Sequence, residues 1–152
     1  VWRDGRLREE RYWALEFAPT FGGSEAEAVE QLHARLQAAV DDRLVADVPF
    51  GAFLSGGLDS SVVVALMAQR MSRPVKTFSI GFKEARYSEL SSARRVADIL
   101  GTEHHELVVE PEATALIESL VWHLDEPFAD SSALPTFLVS ELARPHVKMV
   151  LS

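Results

Sequence analysis

Chemistry concentrates in one short run, Phe53-Leu54-Ser55-Gly56-Gly57-Leu58-Asp59-Ser60-Ser61. Adjacent glycines let a backbone approach a ligand that any Cβ would repel. The hydroxyls of Ser55, Ser60 and Ser61, with N–H groups left free at a helix start, make an anion site. Asp59 is a carboxylate where a phosphate would lie. A bridging divalent cation reconciles the two charges, and Mg²⁺ is the usual partner of phosphates. The run therefore reads as a pyrophosphate-cradling loop with a metal-binding acid. An ordinary turn and cap would use the same small residues, so the flanks matter. Apolar residues from Val48 to Leu54 precede the loop and Val62 to Met67 follow it, which gives buried strand, loop, buried helix. No Gly-Lys-Ser/Thr, G-x-G-x-x-G or G-x-S-x-G pattern is present.

The elements that must position this loop can be read from spacing. Residues 1–23 mix charges with Trp2, Tyr12 and Trp13 and read as a solvated stretch ended by Gly22-Gly23. Ser24 and Glu27 form a capping box for a helix on which Val29, Leu32, Leu36, Ala39, Val40 and Leu44 recur. His33, among them, is given no role. The helix after the loop runs from about Asp59 to Met71 and is broken by Ser72-Arg73-Pro74. Val75 to Ile80 is a second strand, ending at Gly81. Ser88 is expected to cap a helix carrying Leu90, Ala93, Val96, Ala97 and Leu100, with Gly101 as its left-handed stop. His104, His105 and Glu106 invite a metal reading, but position 109 is Val and H-E-x-x-H is absent. They open a third strand through Val109, with structural or surface roles expected.

Pro111 opens an amphipathic helix with Ala113, Leu116, Ile117, Leu120, Val121 and Leu124 on one face. It delivers the acidic turn Asp125-Glu126-Pro127-Phe128-Ala129-Asp130. These carboxylates suit a general base, metal ligands, substrate positioners or a solvated loop. Ser131 or Ser132 is expected to cap a helix holding Leu134, Phe137, Leu138 and Leu142, stopped at Pro145. Val147 to Leu151 is a fourth strand, with Ser152 at its carboxyl end. Alternating strands and helices imply an α/β fold, a Rossmann-like parallel sheet with helices on both faces. Ligands in such sheets sit outside the carboxyl ends of the strands. Ile80 is then either core or a ligand contact.

Composition narrows the classes. The 152 residues suit one domain, and 47% hydrophobic with 25% charged residues is globular. A net charge of −8 argues against a nucleic-acid partner, which needs a basic face. With no cysteine there is no disulfide framework and no thiolate metal site. No membrane partner is expected, since the longest apolar run, Val62 to Ala68, is far too short to span a bilayer. The cytoplasm is the expected compartment.

Ser55-Gly56-Gly57-Leu58-Asp59-Ser60 resembles the PP-loop, SGGxDS, of the ATP pyrophosphatases, whose fold is the adenine nucleotide alpha hydrolase type. The flanks resemble those of the glutamine-dependent asparagine synthetases. Asp47-Val48-Pro49-Phe50-Gly51-Ala52-Phe53-Leu54 resembles the segment leading into that family's loop. So do Thr77 to Phe82, Gly101-Thr102-Glu103-His104-His105, and Trp122-His123-Leu124 through Asp130. The resemblance implies an ATP-dependent ligase that adenylates the aspartate side chain, releases pyrophosphate and transfers ammonia to give asparagine and AMP. Ser55, Gly56, Gly57, Ser60 and Ser61 would then hold pyrophosphate, Asp59 would hold Mg²⁺, and Leu54 and Ile80 would bracket the adenosine. Asp59 and Asp130 are the catalytic candidates, with Glu126 behind them, and Ser152 would begin a second nucleotide loop.

The same resemblance implies domain boundaries and partners. Residues 1–23 would be a linker from an amino-terminal glutaminase domain, and 24–152 the first portion of the synthetase domain. The partners would be ATP, L-aspartate and ammonia, with a homodimer as one allowed state. That family's glutaminase uses a terminal cysteine, which this chain lacks. The chain is therefore expected to be a segment of a longer protein that does not work alone, with a second metal ligand beyond Ser152. Alternative readings are a β-lactam-forming or polysaccharide-amidating relative and a non-catalytic ATP-binding module. A tRNA-modifying PP-loop enzyme is disfavoured by the charge.

Overall fold

The computed structural model describes residues 1–17, 21–83, 88–109, 116–126 and 128–152. They divide into two compact units, Val1–His33 and Ala34–Ser152. The first unit opens with a hairpin that the charged-stretch reading of residues 1–23 missed. Strands β1 (Trp2–Arg3) and β2 (Arg6–Leu7) pair antiparallel. Between them Asp4 and Gly5 take φ of 51° and 75°. Two left-handed residues are what the tightest hairpin turn requires, and Asp-Gly is its usual sequence. The capping box forms as expected: Ser24 N–H donates to Glu27 Oε2 at 2.7 Å, and Glu27 N–H to Ser24 Oγ at 3.3 Å. Helix α1 (Glu25–Arg43) starts there. Of its apolar set, Val40 is buried and Leu36 and Leu44 partly so, whereas Val29 and Leu32 are exposed.

Among the described residues, the second unit holds a four-stranded parallel sheet. Its strands are β3 (Phe50–Phe53), β4 (Lys76–Phe82), β5 (Glu103–Val109) and β6 (Met149–Leu151), in the order β5-β4-β3-β6. The chain steps outward from β3 to β5 and then returns to the other side of β3. That reversal opens a crevice at the carboxyl ends of β3 and β6. Helices α2 (Leu58–Arg70) and α3 (Leu90–Leu100) cover one face, where Ala52, Leu54, Val64, Met67, Val75, Ala93, Ala97 and Leu151 pack together. Helices α4 (Ile117–Leu124) and α5 (Ala133–Ala143) follow. Residues of α5 and its exit, Val139, Ala143 and Val147, close over Phe78 on the other face. Full burial of a side chain such as Phe78 stabilises by about 1.5–3 kcal/mol.

Several local expectations are corrected. Strand β4 runs through Gly81 to Phe82 rather than stopping at the glycine. Glu89, not Ser88, precedes α3, and no side chain caps it. Ser132 precedes α5 but its hydroxyl does not cap either. Gly101 does stop α3 left-handed, at φ 63°, with its N–H on Ala97 O. Pro111 and Ala113 lie outside the described residues, and α4 is described from Ile117. No described helix is long and apolar enough to cross a membrane.

Candidate functional site

The loop after β3 is fixed at both ends. Leu54 N–H donates to Phe78 O at 2.9 Å, and the Ser79 hydroxyl donates to the Leu54 carbonyl. Ser79 is buried, so this polar link extends the β3–β4 pairing past the last ladder residue of β3. Gly56 then turns left-handed, at φ 79°. A Cβ there would meet Ala93 N at 2.5 Å and the carbonyl carbon of Ser92 at 2.6 Å, so the loop lies directly on the start of α3. Gly57 is extended, at φ −72° and ψ 167°, and α2 begins at Leu58 with no side-chain cap.

That start leaves donors unspent. The first helical bond runs from Ser61 N–H to Gly57 O at 3.1 Å, so the amides of Leu58, Asp59 and Ser60 have no helical acceptor. The hydroxyls hold one another meanwhile. Ser55 Oγ and Ser60 Oγ are 3.0 Å apart, and Ser61 Oγ donates to Gly57 O at 2.6 Å. The Asp59 carboxylate is exposed in the first turn of α2 and has no hydrogen-bond or ion-pair partner among the described residues. An oxygen donor without a partner, beside amides pointing outward, fits a hard divalent cation shared with phosphate.

Next to the loop lies a cavity of about 470 Å³. Leu54, Ser55 and Ile80 line it, together with Phe53, Phe82 and Pro135. Its volume is in the range of small-molecule sites. Leu54 and Ile80 are thus brought together with the loop, as expected. Residues 78, 80 and 82 share a face by strand alternation, so Phe82 could have been found from periodicity. Pro135 carried no such signal, because only the folding of α5 onto this face brings it here. Ser152 follows Leu151, whose register partner is Ala52, so Ser152 comes level with the end of β3. It stands at the crevice with the loop.

Asp130 has a local duty. Its Oδ1 accepts the Ser132 N–H at 2.8 Å just ahead of α5. That backbone hydrogen bond holds its carboxyl below the usual range. Glu126 is exposed in the same connection. On the α3 face, His104 Nδ1 lies 2.8 Å from Thr77 Oγ1, and burial lowers the pKa of its ring despite the nearby Glu106. Glu106 Oε1 stands 3.3 Å from His104 Nε2, and both of its oxygens also pair with Arg94. His104 and Glu106 therefore tie β5 to β4 and α3, in line with the structural role expected.

A family model described as asparagine synthase matches residues 31–152. The glutamine-hydrolyzing asparagine synthetase 1 of Bacillus subtilis is 35% identical over 150 residues, covering 98% of this chain and 23% of that protein. A similarly named protein of Methanocaldococcus jannaschii is 42% identical over 149 residues, covering 96% of this chain and 28% of its own length. The chain thus spans about a quarter of the length of these relatives. Among solved structures, the NMN synthetase from Francisella tularensis superposes with a TM-score of 0.51 at 19% identity, covering 84% of this chain and 53% of that one. That last likeness is one of fold.

Proposed function

The chain belongs to the asparagine synthase family, and from that membership we propose that it forms the ATP-binding part of an amide ligase. The ligase would adenylate the side-chain carboxylate of aspartate and pass it to ammonia. One observation supports this above the others. The loop from Ser55 to Ser61 combines amides free of helical acceptors with an Asp59 that has no partner among the described residues, beside a cavity lined by Leu54 and Ile80.

In this reading the amides at the start of α2 and the hydroxyls of Ser55, Ser60 and Ser61 hold the β- and γ-phosphates. Gly56 and Gly57 let the backbone come close, and Leu54 and Ile80 flank the adenosine. Asp59 would hold Mg²⁺, which when bound offsets the charge gathering on the departing pyrophosphate. The aspartate carboxylate forms a bond to the α-phosphorus while the bond to the bridging oxygen breaks, and pyrophosphate leaves with that electron pair. Ammonia then attacks the acyl carbon. AMP leaves, a proton passes from nitrogen to solvent, and asparagine remains. The chain contributes positioning and preset donors rather than covalent chemistry. Asp130, an exposed carboxylate whose pKa the Ser132 N–H lowers, suits holding the substrate ammonium as a fixed negative charge rather than taking up a proton. Ser152 would supply a further contact from the end of β6. The ammonia would come from glutamine hydrolysed outside this chain, which has no cysteine.

Aspartate-dependent exchange of labelled pyrophosphate into ATP, measured in the intact protein, tests the reading. Asp59→Asn should lower exchange by roughly 100-fold or more with an unchanged circular dichroism spectrum. Exchange at the wild-type rate in that variant overturns the role of Asp59. Exchange driven by another carboxylate, and not by aspartate, would replace the acceptor.

A further inference from the structure

Adjacent residues of β5 point to opposite faces, and this separates His105 from His104 and Glu106. Glu103 and His105, two apart, share the face covered by α5. His146, in the connection from α5 to β6, meets them there. Its ring centroid lies 4.0 Å from that of His105, and the His105 ring stacks on Phe78 at 5.2 Å and 13°. One donor atom from each of Glu103, His105 and His146 lies within 4.8 Å of the other two. Glu103 Oε1 and His105 Nε2 are 3.2 Å apart.

We propose that Glu103, His105 and His146 form a binding site for a zinc-type dication, separate from the nucleotide loop. Bonds of about 2.0–2.2 Å in a tetrahedral site put neighbouring donors about 3.4 Å apart. The Glu103–His105 pair is already near that spacing, and a donor atom of His146 lies within 4.8 Å of both, so its ring must swing away from that of His105 to complete the set. Two imidazoles and a carboxylate suit zinc, whereas Mg²⁺ takes oxygen ligands. Three protein ligands leave a fourth position for water. Glu103 is exposed, and with His146 it lines an open groove of about 920 Å³, so an ion has a way in. The site is at the amino-terminal end of β5, where Glu103 pairs with Lys76, the first residue of β4. The Ser55 loop follows the opposite, carboxyl ends of the strands. Ligation would clip the outer strand β5 to the entry of β6, on the far side of β3. Lys76 Nζ, 3.6 Å from Glu103 Oε1, competes for the carboxylate.

Chelator-treated protein titrated with Co²⁺, then Zn²⁺, tests the site. The expected result is one Co²⁺ per chain, the ligand-field absorption of a four-coordinate ion, displacement by Zn²⁺, and a rise in Tm with Zn²⁺. Glu103→Gln keeps the shape of an exposed side chain and should weaken binding about ten-fold or more, as should His146→Ala. Lys76→Met should strengthen binding several-fold, a change no purely structural cluster would give. His123→Ala, on α4 and outside this group, should leave binding unaltered. Absence of saturable Co²⁺ binding overturns the proposal. So does an affinity that Glu103→Gln and His146→Ala leave unchanged, because the ion would then be adventitious.

Discussion

Gly56 and Gly57 are neighbours with different reasons to lack a side chain. Gly56 is left-handed and pressed against Ala93 N. Gly56→Ala should cost about 1–2 kcal/mol for the backbone alone, read as a lower urea midpoint. At Gly57 the backbone is ordinary and a Cβ would meet only Ser55 Oγ, at 3.2 Å. Gly57→Ala should hold the midpoint within about 0.5 kcal/mol and still weaken ATP binding. Equal losses of stability in the two variants would contradict this division. Asp130 gives a pH test. Its folded pKa lies below the ordinary one because of the Ser132 N–H. Its stabilising effect is therefore full above the unfolded value of about 3.9 and is lost as pH falls through the folded value. Asp130→Ala should have the lower Tm at neutral pH, with the gap closing as the buffer is acidified below that value. A gap independent of pH would mean that the carboxylate charge is irrelevant there. The motif residues were legible because their chemistry is local. The duty of Ser79 was not, since it depends on a carbonyl 25 residues away, whereas Asp130 accepts from the N–H two residues on, a local turn contact that the sequence allows.

At the scale of elements, β5 shows how a strand sorts its residues. His104 faces Thr77 and α3, and burial lowers its pKa. A base with a lowered folded pKa binds its proton more readily when unfolded. Its stabilising effect is full above about pH 6.5 and is lost as pH falls toward the folded value. The wild-type Tm should therefore drop on acidification below that point, and His104→Gln should flatten the slope. An equally steep slope in the variant would place the titration elsewhere. Strand and helix types were readable from apolar period, and Gly101 from its need for a left-handed stop. The β1–β2 turn was also readable, since Asp4-Gly5 carries its own signal, but the surrounding charges masked it. The capping residues of α3 and α5 misled because serine near a helix start need not turn its hydroxyl inward. The meeting of His105 with His146 was invisible, because α5 must fold over the sheet before the two approach.

For the whole molecule, alternation of strands and helices implied a parallel sheet but could not order it. The order β5-β4-β3-β6 depends on which strand the returning chain pairs with, a contest among distant apolar faces. That order matters, because it brings Ser152 level with the end of β3 and makes a crevice of the loop. The net charge of −8 repels a polyanion at long range and residues 53–61 hold no Lys or Arg, so ATP binding at this loop should require Mg²⁺. The most direct measurement is the set of backbone amide NMR shifts on adding ATP, with and without Mg²⁺. The expected result is a set of Mg²⁺-dependent shifts concentrated at Ser55 to Ser61 and around Ile80, lost in Asp59→Asn while the remaining spectrum is retained. Shifts centred elsewhere, or an Asp59→Asn variant that still shows Mg²⁺-dependent shifts in the loop, would contradict it.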